Sequence, residues 1–171
     1  MAELGLDRTK VRLVAHSRDW AGLFLCEKRL IEGVMGADLR DVQHIGSTAI
    51  PCIQAKPMVD ICGGVDDLGV AEASIEPLKS IDYEYADDIE IEGHRVFIKG
   101  QPRSYVLHLV VYRGERWNAM IGFRDALIRD GGLANEYEQL KKDLAAKHPN
   151  DRPKYTGGKA EFIDRVVREH C

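Results

Sequence analysis

Apolar residues recur along the chain at two different spacings, and the switches between them outline its elements. Val11, Leu13 and Ala15 alternate with Arg12 and Val14 in a manner that predicts a first strand over 11–15. The spacing then lengthens. Trp20, Leu23, Phe24, Leu30, Ile31 and Val34 fall on one helical face, with Ser17 as the expected cap, Asp19 in the first turn, and Gly33 and Gly36 closing the helix. Over 41–64 the pattern predicts a short strand with His44 and Ile45, a Gly46-Ser47-Thr48 turn, a loop held by Pro51 and Pro57, and a second strand. That strand carries Asp60 between Val59 and Ile61 and ends at Gly63-Gly64.

Asp66 or Asp67 is placed to cap a short helix with apolar positions Leu68, Ala71, Ile75 and Leu78, ending near Pro77. The segment 83–92 alternates weakly and predicts an exposed strand or hairpin arm with Glu90 and Glu92 on one face. After a turn at Gly93, two further strands are expected. In 95–99, Arg95, Phe97 and Lys99 share a face; in 105–112, Val106, His108, Val110 and Tyr112 share one face and Leu107, Leu109 and Val111 the other. The remainder has helical periodicity. Trp117, Met120, Ile121, Phe123, Leu127 and Ile128 form a stripe over 116–129, which Gly131-Gly132 are expected to end. Leu133, Tyr137, Leu140 and Leu144 mark the next helix; after a turn at 150–153, Thr156 is the expected cap of a last helix with Ala160, Ile163, Val166 and Val167 buried. The class implied is α/β: a mixed sheet with flanking helices over about 11–112 and a helical C-terminal part over about 115–170.

A chain of 171 residues with 44% hydrophobic content has enough apolar material for one core, so 1–171 is expected to be a single domain. A net charge of -4 and a pI near 5.9 argue against broad nucleic-acid binding but leave room for a local basic cleft. No apolar run reaches membrane-spanning length and the first residues lack a secretory pattern, so a cytoplasmic protein without membrane association is expected. Cys26, Cys52, Cys62 and Cys171 show no CxxC spacing, which fits free thiols in a reducing compartment. Oligomeric state has no signature in the sequence.

The candidate chemistry gathers in 41–64. Gly46 lets a ligand approach the backbone closely, Ser47 and Thr48 supply hydroxyls, Lys56 supplies a cation, and Asp60 is a lone carboxylate among apolar residues. Asp60 can equally be a loop-fixing carboxylate that accepts from Lys56 or from backbone amides. Arg95 and Lys99 meet a phosphate if their face looks over the Ser47 turn, and are ordinary edge charges if it looks to solvent. His108 has a comparable alternative as a buried, hydrogen-bonded histidine. Arg124, Lys141 and Lys159, with Lys154, either converge on a ligand between the helices and the sheet or are scattered surface charge.

The stretch DVQHIGSTAIPCIQAKPMVDICGG, together with HRVF, LHLVV, FRD, EYEQLK and YTGGKAEFI further on, resembles the GrpB family over nearly the whole chain. That resemblance implies a nucleotidyltransferase-like fold, a glycine-serine turn for phosphates, and a following strand where the superfamily carries two acids two positions apart. Here the first is Asp60 and the second position is Cys62, a departure that family members commonly share. Val106 likewise fills a position where the family often has a second histidine. The expected function is binding of a small phosphate ligand, with a nucleoside triphosphate such as ATP as substrate, Mg²⁺ at Asp60, and nucleotidyl transfer to a small acceptor served by Ser47, Asp60 and His108. The alternative is a non-catalytic or regulatory protein that keeps the fold and the phosphate pocket. Family members fused to dephospho-coenzyme A kinase imply a third reading, linked to coenzyme A.

Overall fold

The computed structural model describes residues 3–89 and 91–170. Five strands form one mixed sheet: β1 (Leu39–Ile45), β2 (Val59–Val65), β3 (Tyr83–Tyr85), β4 (His94–Lys99) and β5 (Tyr105–Val111), in the order β1-β2-β5-β4-β3. Only the β2–β5 pair is parallel; the others are antiparallel. The parallel pair needs a crossover, and that connection contains α2 (Gly69–Ala73), α3 (Ile75–Lys79), β3 and β4.

Register assigns every strand residue to a face. Asp60 pairs with Val106 and Val106 with Ile98; Cys62 pairs with His108 and His108 with Val96. These side chains therefore share one face with Ile45, Val110 and His94, while Val59, Ile61, Phe97, Leu107 and Leu109 leave the other. The second face carries the main core. It lies under helix α1 (Asp19–Met35), whose Trp20, Phe24, Ile31 and Met35 pack on Val59, Ile61, Phe97 and Leu107. Burial of such a set supplies the dominant stabilisation, at about 25 cal/mol per Å² of apolar surface.

The first face is covered by α4 (Glu115–Arg129), whose Trp117 packs with Ile45, Cys62 and Val110. Against α4 pack α5 (Gly131–Lys147) and α7 (Ala160–His170), while α6 (Arg152–Gly157) packs on α5 and reaches Met58 through Arg152. Ile50 and Ile53 of the β1–β2 loop insert among Leu127, Tyr137, Phe162 and Val166, which ties the loop bearing the candidate chemistry to the helical part.

Several elements differ from the sequence expectation. Residues 11–15 form no strand; Val11 N donates to Pro149 O at 2.9 Å and Val14 makes an isolated bridge with Ala55, so the segment's partners are loops and no ladder extends. Gly33 lies inside α1, which ends at Gly36 with φ +53, and Leu30 is exposed at 45% while Met35 takes the buried position. Pro77 sits within α3, near its start, where a missing N–H costs no helical bond. Gly131 and Gly132 open α5 rather than end α4, because Asp130 accepts from Gly132 N and Leu133 N. Asp151, not Thr156, caps a short additional helix, α6, that contains Thr156. The expected strand over 83–92 shortens to β3, and Glu90 lies outside the described residues.

Candidate functional site

Asp60 stands near the start of β2, on the face turned toward the helical part, and the chain folds closely around it. Gly46, at the end of β1, adopts φ +68, and a Cβ there would lie 2.5 Å from Asp60 Oδ2. Only glycine allows the turn to press on the carboxylate this way. Ser47 follows, opening a short 3-10 turn, Ser47–Ala49, with Ile50 N donating to Ser47 O at 3.3 Å.

Several basic side chains lie within range of the Asp60 charge. Lys56, Arg103 and Arg152 all feel the charge of Asp60, as do His108 and Tyr155. Lys56 is half-buried, and lost hydration, followed by repulsion from Lys159 and Arg152, brings its amine down to about 7. Tyr155 of α6 is the floor between two lysines, with Lys56 Nζ 5.3 Å and Lys159 Nζ 4.9 Å from its ring centroid. Burial raises the Tyr155 phenol, so its hydroxyl keeps its proton. Arg152 Nη2 donates to Met58 Sδ at 2.9 Å, while its Nη1 and Arg103 Nε are buried without an acceptor. Burial, followed by Arg152 and Arg8, lowers Arg103 to about 10, still charged at neutral pH.

His108 shares the face and lies on the strand next to Asp60, one pleat repeat farther along, about 7 Å by strand geometry. Its ring meets that of His94 edge-on at 5.2 Å, and burial holds both histidines neutral, His94 at about 4. Cys62, paired with His108 in register, is fully buried; desolvation pushes its thiol up to about 12, so the position offers a neutral S–H. Among the described residues no group of three or more His, Cys, Asp or Glu side chains could hold a metal ion. With one carboxylate among cations, any Mg²⁺ at Asp60 would take most of its oxygens from a bound phosphate and water.

Other sequence candidates fall elsewhere. Arg95 and Lys99 are on the opposite face from Asp60, so the expected gathering of these cations at the Gly46 turn is corrected. Lys99 Nζ donates to the buried Glu27 of α1 at 2.8 Å, and among the described residues Arg95 bonds locally, to His94 O at 3.3 Å. Thr48 is buried, its hydroxyl 3.0 Å from His44 Nε2, which removes it from the ligand-facing side. Arg124 bridges α4 to β1 through Gln43 Oε1 and His44 O, both at 2.9 Å. Lys141 is buried and bonds Gln54 O, while Glu138 accepts from Gln54 N at 2.6 Å; the two pin the β1–β2 loop to α5. Arg103 and Arg152 also feel the Asp60 charge, and the sequence does not single them out. They lie in a hairpin and at a helix start far along the chain, and nothing in their local pattern tells them from surface charge.

A five-strand mixed sheet covered by helices on both faces, with the Gly46-Ser47 turn opening the loop that leads into the Asp60 strand, is a mixed α/β fold. The chain belongs to the GrpB family, whose protein model matches residues 10–169. It is 41% identical over 172 residues to the glutamate-rich protein GrpB of Alkalihalophilus pseudofirmus, covering 97% of this chain and 99% of that one. The crystal structure of GrpB from Enterococcus faecalis superimposes with a TM-score of 0.84 at 27% identity, over 92% of this chain and 96% of that chain. A Cid1 poly(U) polymerase bound to MgATP gives a TM-score of 0.47 at 12% identity, over 75% of this chain and 45% of that one. No described helix is long and apolar enough to cross a membrane.

Proposed function

We propose that the chain binds the phosphates of a nucleoside triphosphate such as ATP between the Gly46-Ser47 turn and the Lys56–Tyr155–Lys159 group, and transfers its nucleotidyl group to a small acceptor. The observation that carries the reading is a lone carboxylate, Asp60, packed against a glycine turn and acting on Lys56, which gathers with Lys159 at the Tyr155 ring in an acidic protein. Such a surround suits a polyanion better than a neutral ligand. Transfer joins the acceptor oxygen to the α-phosphorus, and pyrophosphate leaves with the electron pair of the bond that breaks. Asp60 orients the acceptor hydroxyl, Ser47 and Lys56 hold phosphate oxygens, and His108, neutral at physiological pH, is the base that takes the proton. Bound Mg²⁺ would neutralise phosphate charge beside Asp60.

The protonated Cys62 where a second acid is expected favours a second reading, a phosphate-binding module without turnover. Asp60→Asn separates the two. The transfer reading expects near-native melting and a loss of nucleotide turnover by roughly a hundredfold, the scale of one main electrostatic group. A variant with a lowered melting temperature and unchanged activity per folded molecule overturns the assignment of Asp60.

A further inference from the structure

The donor side of Asp60 is the β1 side, where the Gly46 turn closes on it. A different pair of groups, Arg103 on the β5 side and Arg152 against Met58, is left unused by phosphate binding at Lys56. Arg103 belongs to the turn between β4 and β5, and Arg152 opens α6. Both feel the charges of Asp60 and Arg8, and Arg103 also feels the Arg152 guanidinium.

Neither arginine is fully used by the protein. Arg103 Nε and Arg152 Nη1 are buried donors without an acceptor, and Arg152 Nη2 has only the thioether of Met58, a weak one. A buried, unpaired guanidinium N–H is costly to keep, and a bound oxyanion is one partner that would complete it. Asp88 and then Asp60 act on Arg103, while Asp60 is the carboxylate that acts on Arg152 and on Lys56. Arg8, the next cation outward, is already committed to Asp88. The same Arg103 also lines a cavity of about 710 Å³, shared with Asp7, Arg8, Tyr85, Asp88 and Pro102, which gives the body of a small molecule room beside Arg103.

We infer that Arg103 and Arg152 form a second anion subsite, across Asp60 from the Gly46-Ser47 turn, that seats a phosphate or carboxylate group carried by the acceptor. The acceptor is thus an anionic alcohol, its charged group on the arginine fork, its hydroxyl beside Asp60 and its remainder toward the Arg103 cavity. Guanidinium groups suit such planar or tetrahedral oxyanions through paired N–H donors. This inference rests on the nucleotide reading for the word acceptor, but the subsite itself does not.

Inorganic phosphate is the probe, titrated by calorimetry into the full chain, both free and saturated with a non-hydrolysable ATP analogue. The wild type is expected to bind phosphate with the analogue already in place. Arg103→Gln/Arg152→Gln should weaken that second binding at least about tenfold, a loss of 1.4 kcal/mol, while analogue affinity changes little. Lys56→Met should show the reverse. Arg103→Lys/Arg152→Lys, which keeps the charge, serves as the control for folding and should retain part of the binding. If the analogue fails to bind the wild type, the nucleotide reading falls; loss of phosphate binding in the glutamine pair then still upholds the subsite. Phosphate binding unchanged in a folded glutamine pair, or none by the wild type at millimolar concentration, overturns it.

Discussion

Gly46 lies against Asp60 so closely that an ideal Cβ on the glycine would stand 2.5 Å from one carboxylate oxygen and 3.0 Å from the Asp60 Cβ. Position and conformation reinforce each other, since φ +68 is itself unfavourable for a side-chain-bearing residue. Gly46→Ala should destabilise the fold by about 1–3 kcal/mol and move the Asp60 carboxylate off its place. Urea unfolding and nucleotide-analogue binding on one preparation check both parts. An alanine variant with native stability and affinity would show that the turn does not depend on this contact.

Lys99 tests the face assignment directly. Its ammonium is paired with Glu27, whose side chain is only 5% exposed, and lies 5.5 Å from the Tyr83 ring centroid. Lys99→Met leaves a buried carboxylate without its partner and should cost about 3–5 kcal/mol in unfolding free energy. Anion binding at Asp60, on the other side of the sheet, should be untouched when measured below the melting transition. A stable variant with weakened phosphate binding would return Lys99 to the site.

The sheet and most helices were legible because their signals are local. Alternation in 95–99 and 105–112 and the stripe over 116–129 report burial directly, and the acid-bearing strand could be placed from Val59 and Ile61 alone. The relation between faces was not. Arg95 and Lys99 alternate correctly, but which side of the sheet faces Asp60 is set by the register Ile98–Val106–Asp60, a long-range property. Residues 11–15 alternate like a strand yet have only loop partners. Of the expected cations, Lys56 and Lys159 meet at Tyr155, Lys141 and Arg124 became struts, and Arg103 and Arg152 arrived unannounced, because side chains distant in sequence converge only through tertiary packing.

Stability should fall in mild acid through the buried histidines. His94 is 5% exposed, has no hydrogen-bond partner on either ring nitrogen among the described residues, and is held to about 4 chiefly by burial. The unfolded chain takes up a proton below about 6.5 that the folded chain refuses until about 4, so stability is constant above that window and declines as pH falls through it. His108 shifts in the same direction, and so does His44, also at about 4. His94→Leu should remove one proton from the dependence, so that between pH 6.5 and 5 it loses about 2 kcal/mol less than the wild type. Equal losses in urea melts of the two proteins would show that His94 is not a neutral buried base.

Lys56 gives the site a pH dependence of opposite sense and in a different range. Its amine titrates at about 7, so it is an ammonium below that pH and increasingly neutral above it. Sulfate keeps a fixed charge between pH 6 and 8, and burial lowers the histidines on which Asp60 acts, so among the described residues Lys56 and Lys141, also at about 7, are the lysines brought into this range. Lys141 is occupied with Gln54 O, so the contact with an anion falls to Lys56. A bound anion favours the ammonium, so sulfate affinity should decline as pH rises, approaching about tenfold per unit above pH 7. Calorimetry in two buffers of different ionisation enthalpy should register proton uptake on binding at pH 8. Lys56→Met should bind weakly and without this slope; if it keeps the wild-type slope, the titrating contact is another group and Lys56 does not hold the phosphate.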